Sequence, residues 1–391
     1  MKRNLIMFAT CWLMSACPAI AAQISGPAAA GDGPHLITKV PPGEVRYYLK
    51  ESSGYAKEWD TVYEHKTESG ARIVFTAEGD VYFDNFLSNA VTPAWIKGAL
   101  SDDGETIRVD FPQDYYILEG TEYYGTLYKG TVLLEDGEVV GCRVDPDDDY
   151  VTFRIYEDGS IQMEDDAEVV MKWNDDTFSG FSDNMQYYTP VEAPLSIPAG
   201  VETEEWAMLY ANTGTFVEIG ELDDTIYIKG FSDLFPDAAV KGTVKGDKIE
   251  IEPGQLLGCY DARFTYLLYG YVTPEGYVEL EDPDVKFHFD YDREKKVITT
   301  ADSEIFWLAN CSLVDVMYVE SFFNPLIRYQ GEVAPAAPVA PELSFYDESG
   351  FETCGESYLW LSLPPFDVNG NLIHTDDYYS SFGFRFQAVV A

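Results

Sequence analysis

The chain repeats itself. Residues Thr225 to Gly258, TIYIKGFSDLFPDAAVKGTVKGDKIEIEPGQLLG, are echoed by Asp80 to Leu118. Val81-Tyr82-Phe83-Asp84-Asn85-Phe86 stands against Ile226-Tyr227-Ile228-Lys229-Gly230-Phe231, and Trp95-Ile96-Lys97-Gly98 against Ala239-Val240-Lys241-Gly242. Ile107-Arg108-Val109 followed by Gln113 then matches Ile249-Glu250-Ile251 followed by Gln255. Each copy runs to about 130–150 residues, far beyond the roughly 20–50 of a solenoid or propeller unit, so each is expected to fold as its own domain.

Both copies read as strands. Short alternating runs are separated by turn dipeptides at hairpin spacing. Val240, Gly242 and Val244 face one way and Lys241 and Lys245 the other, before Gly246-Asp247 turns the chain into Ile249 and Ile251. Asp103-Gly104, Asp136-Gly137 and Asp158-Gly159 predict further hairpins, and Asp292-Arg293 matches the last of these. The aromatic share of 15% favours the same reading, because aromatic and branched side chains suit a half-buried pleated surface. The expected class is all-β: two tandem antiparallel meanders, each a barrel or a sandwich, since either arrangement protects sheet edges. The end of each copy is marked by matching Trp173 with Trp307 and Pro190 with Pro325, and Arg154 is placed opposite His288. The first copy is the longer, with most of its excess between Gln113 and Val151.

These signals divide the chain into a signal peptide over 1–22, a flexible leader over 23–41 and β-repeat domains over 42–197 and 198–332. A Pro/Ala linker over 333–341, which alternate prolines stiffen, and a β segment over 342–391 complete it. The last segment is half the length that an immunoglobulin-like sandwich needs.

The signal rests on Lys2-Arg3, the apolar run Leu5 to Ala16, and the A-x-A pattern at Ala19-Ile20-Ala21. It predicts export, with the mature chain starting near Gln23. Met14-Ser15-Ala16-Cys17 offers a competing reading, a lipid anchor on Cys17, disfavoured because Met opens a lipobox poorly. No later apolar stretch approaches the ~20 residues of a membrane span. The formal charge of −43 repels phosphates and anionic headgroups, which tells against nucleic acid as a partner. Outside the signal the cysteines are Cys142, Cys259, Cys311 and Cys354, which allow three pairings that sequence leaves open.

The order D-D-T-I-Y-I-K-G, A-V-K-G-T-V-K-G-D-K-I-E-I, G-Q-L-L-G, then a Pro/Ala linker and P-P-F-D-V-N-G-N-L, resembles exported β-repeat proteins of gut Bacteroidetes. The resemblance covers the second copy and the C-terminal segment well and the first copy loosely. It implies a secreted or cell-surface β-protein with a C-terminal immunoglobulin-like module, and supplies no catalytic residues.

Nothing in the chain has the spacing of a catalytic motif. There is no G-x-S-x-G, H-E-x-x-H, Walker loop, G-x-G-x-x-G or C-x-x-C, and His35, His65, His288 and His374 stand apart in sequence. Paired carboxylates, as glycoside hydrolases use, are the one catalytic option that 68 acidic residues leave open. No cofactor is expected. Asp145, Asp147 and Asp149 lie in the densest acidic run and are a calcium candidate, against the simpler reading of a solvated loop. Asp367-Val368-Asn369-Gly370-Asn371 is calcium-like too but more simply an Asn-Gly turn. Tyr115, Tyr116, Tyr123 and Tyr124, with Trp95, are the candidate ligand surface for a glycan or a protein, because aromatic rings pair apolar area with a polar tip. The competing reading is core and cross-strand pairing. The function expected from these features is non-enzymatic binding or adhesion, with a structural surface component or a carboxylate-dependent hydrolase as alternatives.

Overall fold

The computed structural model describes residues 34–374 apart from 40, 59–60, 119–120, 145–146, 165–167, 212, 273–277, 281–284, 301–303, 312–315, 332–337, 340–341 and 347–357. The signal segment, Cys17, Asp145, Cys354, most of the Pro/Ala linker and the apolar run at 382–390 lie outside the described residues. The chain is all-β and divides into two compact units, the main division falling between Ala193 and Pro194.

The first unit contains β1 (Glu44–Glu58), β2 (Thr61–Phe75), β3 (Asp80–Phe83), β4 (Ile96–Leu100), β5 (Thr106–Asp110) and β6 (Gln113–Ile117). It continues with β7 (Tyr124–Glu135), β8 (Glu138–Val144), β9 (Tyr150–Ile155), β10 (Ile161–Met163), β11 (Glu168–Trp173) and β12 (Phe178–Val191). Eight strands run β1-β2-β3-β4-β5-β9-β10-β12, and pairing of β1 with β12 closes them into a barrel. From β12 an arm continues through β11 and β7 to β6, with β8 also on β7. Alternate strand residues fill the barrel: Tyr48, Ile73, Val81, Phe83, Ile96, Ile107, Val109, Val151, Phe153, Ile161 and Tyr188 are buried.

The second copy has β13 (Thr203–Tyr210), β14 (Thr213–Leu222), β15 (Thr225–Lys229), β16 (Ala239–Lys245), β17 (Lys248–Ile251), β18 (Gln255–Tyr260) and β19 (Arg263–Val272). After these come β20 (Val278–Leu280), β21 (Phe287–Asp292), β22 (Val297–Thr300), β23 (Glu304–Cys311), β24 (Val316–Phe323) and β25 (Leu326–Arg328). Here the closed barrel is β13-β14-β15-β16-β17-β21-β22-β25 and the arm is β18-β19-β23-β24, with β20 on β19. The two topologies correspond strand for strand. β12 serves both sheets as one strand where the second copy divides the job between β24 and β25.

The echoed residues do the same backbone work in each copy. The Gln113 side chain accepts from Lys97 N at 2.9 Å and donates to Lys97 O at 2.7 Å and Asp110 O at 2.8 Å. Gln255 repeats this with Lys241 N, Lys241 O and Glu252 O, each at 2.9 Å. A Cβ on Gly98 would lie 2.9 Å from Arg108 O, and one on Gly242 would lie 3.0 Å from Glu250 O and 2.8 Å from an Ile251 side-chain carbon. The Lys-Gly pair is therefore kept by close strand approach. The predicted Asp136-Gly137 turn forms, with φ of 54° and 87°, the left-handed pair of a tight hairpin.

Register corrects two sequence matches. Arg108 faces Thr152 and Glu250 faces His288, so the exposed His288 corresponds to Thr152 and not to Arg154. Ile161 faces Tyr188 and Ile298 faces Ile327, which puts Pro325 against Gln186, not Pro190. The first slip is two residues, which preserves the inside–outside alternation, so the hydrophobic pattern accepts either register.

The C-terminal segment gives an antiparallel pair, β26 (Glu342–Tyr346) with β27 (Tyr358–Ser362), and then a turn. In the turn, Asp367 Oδ1 accepts from Asn369 N and Asn371 N at 2.8 Å. Within the second unit Gln330 donates to Leu372 O and accepts from Leu372 N, and the His374 ring stacks on Phe216 at 3.8 Å.

Candidate functional site

Two places in the first unit gather chemistry-bearing side chains. One is internal and was not read from sequence. Along β1 the inward positions are Tyr48, Lys50, Ser52, Gly54 and Ala56, so the alternation that begins with an aromatic ring continues with an ammonium and a hydroxyl. Opposite, Met185 takes a left-handed φ of 48° and interrupts the β1–β12 register. This irregularity re-aims β12, so that Ser182, Asp183 and Gln186 are all buried.

Lys50 and Asp183 meet there, both essentially without solvent exposure. The Lys50 Nζ donates to Asp183 Oδ2 at 2.7 Å, Phe86 O at 2.6 Å and Asn85 O at 3.0 Å, which uses all three of its protons. Asp183 Oδ2 also accepts from Ser88 N at 3.0 Å and Ser88 Oγ at 2.9 Å. Asp183 Oδ1 has no hydrogen bond, and the His65 Nε2 stands 3.4 Å from it. Ser52 Oγ and Ser88 Oγ share a hydrogen bond at 2.6 Å. Burial alone would raise the Asp183 carboxyl, but the Lys50 ammonium and then His65 outweigh it and hold the group below its ordinary value. Burial lowers the Lys50 ammonium, with Asp183 pulling partly back.

Asp183 Oδ2 accepts from the Ser88 hydroxyl, but the same oxygen is already held by Lys50 Nζ and Ser88 N. Ser88 Oγ also bonds Ser52 Oγ, and both Ser88 and Asp183 are buried, so the hydroxyl is committed to structure. Lys50 has no proton-free lone pair to offer. The cluster is a latch. It fastens the loop between β3 and β4, hereafter the plug loop, where Gln186 Nε2 donates to Phe86 O and Leu87 N to Tyr115 Oη. Phe86, Leu87, Ala90 and Ala94 of that loop are buried against the barrel core.

The second copy lacks these charges. Lys50 faces Tyr188 and Met208 faces Ile327, so Met208 occupies the place of Lys50. Counting back equally from Tyr188 and Ile327 puts Phe322 where Asp183 stands, and Asn324, with φ of 44°, repeats the left-handed Met185. Met208 and Phe322 are fully buried. A second polar exchange follows the same logic: the Arg72–Asp84 pair of copy one, 2.6 Å, is Glu218–Lys229 in copy two, 3.8 Å, with the signs inverted. Asp84 is itself buried, not outward.

The second place is the end of the arm, where the predicted ligand residues separate. Trp95 and Tyr115 are buried, 3% and 0% exposed, so neither presents a face. Arg72 covers the Trp95 ring, and Tyr115 is core and accepts from the plug loop; burial pushes its phenol up. Tyr116 and Tyr123 fall on one face of the β6–β7 hairpin, Tyr116 opposite Gly125 and Tyr123 opposite Leu118, while Tyr124 lies opposite Ile117 on the other face. Tyr123 is 44% exposed, beside the exposed Ile117 and Leu118. Trp173, which faces Gly125 on β11, joins them edge-to-face with Tyr116 at 6.1 Å, a neighbour that sequence distance hid. Asn174 secures the edge through Glu122 O and Tyr124 O, both at 3.0 Å.

Among the described residues the acidic run does not assemble a cation site. Asp147 and Asp149 are exposed, Asp148 pairs with Lys129 at 2.6 Å, and among the described residues no three His, Cys, Asp or Glu side chains converge. Cys142 and Cys259 are free thiols.

Fold and sites thus define a tandem pair of filled antiparallel barrels, each with a sheet arm, the first holding an ionic latch. Comparison with family models, curated proteins and solved structures gave no match.

Proposed function

We propose that the protein is an exported, non-enzymatic binding or adhesion protein whose ligand meets the aromatic end of the first arm. The observation that carries this reading is the placement of Tyr116, Tyr123 and Trp173 on one face at a sheet end, with Leu118 exposed on that face. Both barrel interiors are packed with aromatic and branched side chains, so contact with a ligand falls on the outside. The exposed Glu122, Asp175 and Asp176 around the edge disfavour an anionic ligand, and a neutral glycan suits rings that offer flat apolar faces beside amide and carboxylate groups. A protein ligand is the second reading, favoured by Ile117 and Leu118.

Glycan-array binding of the mature chain, with Tyr123→Ala and Trp173→Ala beside it, tests the proposal. Binding that both substitutions abolish supports it. A blank array across varied neutral glycans removes the carbohydrate reading, and glycan binding untouched by both substitutions moves the site elsewhere.

A further inference from the structure

The β7–β8 hairpin has a surface that the aromatic edge does not use. Among the described residues β8 pairs with β7 alone, so the backbone N–H and C=O groups along its other side face no strand. Sheet edges are commonly protected by Pro, Lys or a covering element. β8, EVVGCRV, has neither Pro nor Lys, and its one basic residue is Arg143 near the far end. The register shift leaves Val140 of β8 unpaired and 54% exposed, and Leu133 and Leu134 on β7 are 39% and 51% exposed. A bare edge and exposed apolar side chains thus coincide on one hairpin.

The tip supplies the selectivity. Glu135, Asp136 and Glu138 surround the turn, all exposed, and none has an ion-pair partner among the described residues. A second copy would bring the same three acids and another −43 of charge to the junction, which disfavours self-pairing. We propose that the open edge of β8 is a strand-addition site for an extended segment of a partner protein, apolar at alternate positions and carrying Lys or Arg where it passes the tip. Backbone hydrogen bonds to the edge supply affinity, the exposed Val140 of β8 receives an apolar side chain, and the acids fix the register. At about 3.3 Å per residue along β7, this tip lies roughly 35 Å from Tyr124, so the site is separate from the aromatic edge.

The test uses the mature chain with a fluorescent synthetic peptide of alternating Val and Thr that ends in two lysines, and its twin ending in two glutamates. The lysine peptide is expected to bind and to slow amide exchange along β8, and the glutamate twin to bind about tenfold more weakly or worse at low salt. Val140→Lys, at an exposed position, is expected to weaken the lysine peptide about tenfold with the melting temperature unchanged. Tyr123→Ala leaves peptide binding as it is, which separates this site from the glycan surface. Equal binding of the two peptides, protection outside β8, or full affinity in Val140→Lys overturns the proposal. So does concentration-dependent self-association that protects β8 without peptide, which assigns the edge to a second copy.

Discussion

The ionic latch makes a quantitative claim about stability. Lys50→Met removes the ammonium and leaves the Asp183 carboxylate buried with only Ser88 to bind it and His65 nearby. Breaking a buried pair from one side costs about 3–5 kcal/mol, because the remaining charge has lost its compensation. Asp183→Asn leaves the opposite charge stranded and is expected to cost about as much. The double substitution strands neither. Neutral residues at these positions are what the second barrel already has, with Met208 and Phe322 fully buried, and exchange of a buried ion pair for uncharged residues is often neutral or better. The double variant is therefore expected within about 1–2 kcal/mol of the parent, a strongly non-additive result. For a unit of this size 1 kcal/mol moves the melting temperature by about 2–4 °C, so each single variant should melt about 6–20 °C lower. Calorimetry of the whole chain reads this directly, with the untouched second barrel as internal reference, since two units do not melt as one two-state system. A Lys50→Met protein that melts with the parent would refute the latch. A double variant as damaged as the sum of the singles would refute the coupling.

Two further outcomes follow from the same comparison of copies. Asp84→Lys places a cation against Arg72 and is expected to lower the first transition sharply, whereas Arg72→Glu with Asp84→Lys recreates the Glu218–Lys229 arrangement and should regain most of the loss; a double variant worse than the single sinks the inverted-pair reading. In the arm of the second copy, burial raises the Glu320 carboxyl, the Ser232 hydroxyl at 2.8 Å partly offsets this, and Asp233 adds to it. A folded-state value above the ordinary 4.5 means the native state holds that proton more tightly. Its contribution is then complete below the unfolded-state value and lost as pH rises through the folded-state value. Glu320→Gln, which cannot ionise, should match the parent in acid and melt above it towards neutral pH, and a pH-independent difference in melting temperature would count against this sign.

What sequence reveals here depends on which side of a strand carries the message. The hairpin turns and the echo are legible because Gly98 and Gly242, or Gln113 and Gln255, meet the same backbone demands in both copies. Sequence places Tyr115, Tyr116, Tyr123 and Tyr124 near one another along the chain, but it does not separate the buried Tyr115 and Trp95 from the rest or set Tyr124 on the opposite face from Tyr116 and Tyr123, since an aromatic ring on a strand fits either face. The latch is illegible for a stronger reason. Lys50 and Ser52 occupy inward positions of β1, where a polar pattern reads as solvent, and Asp183 turns inward only through the irregularity at Met185, which no residue type announces. Equivalence with Met208 and Phe322 then emerges from strand register alone. Those two residues show that closing the barrel asks only for volume at these positions. The charges must answer another need, and the hydrogen bonds say which: Lys50 binds Asn85 O and Phe86 O, and Asp183 binds Ser88, backbone and hydroxyl groups of the plug loop that a methionine and a phenylalanine have no means to hold.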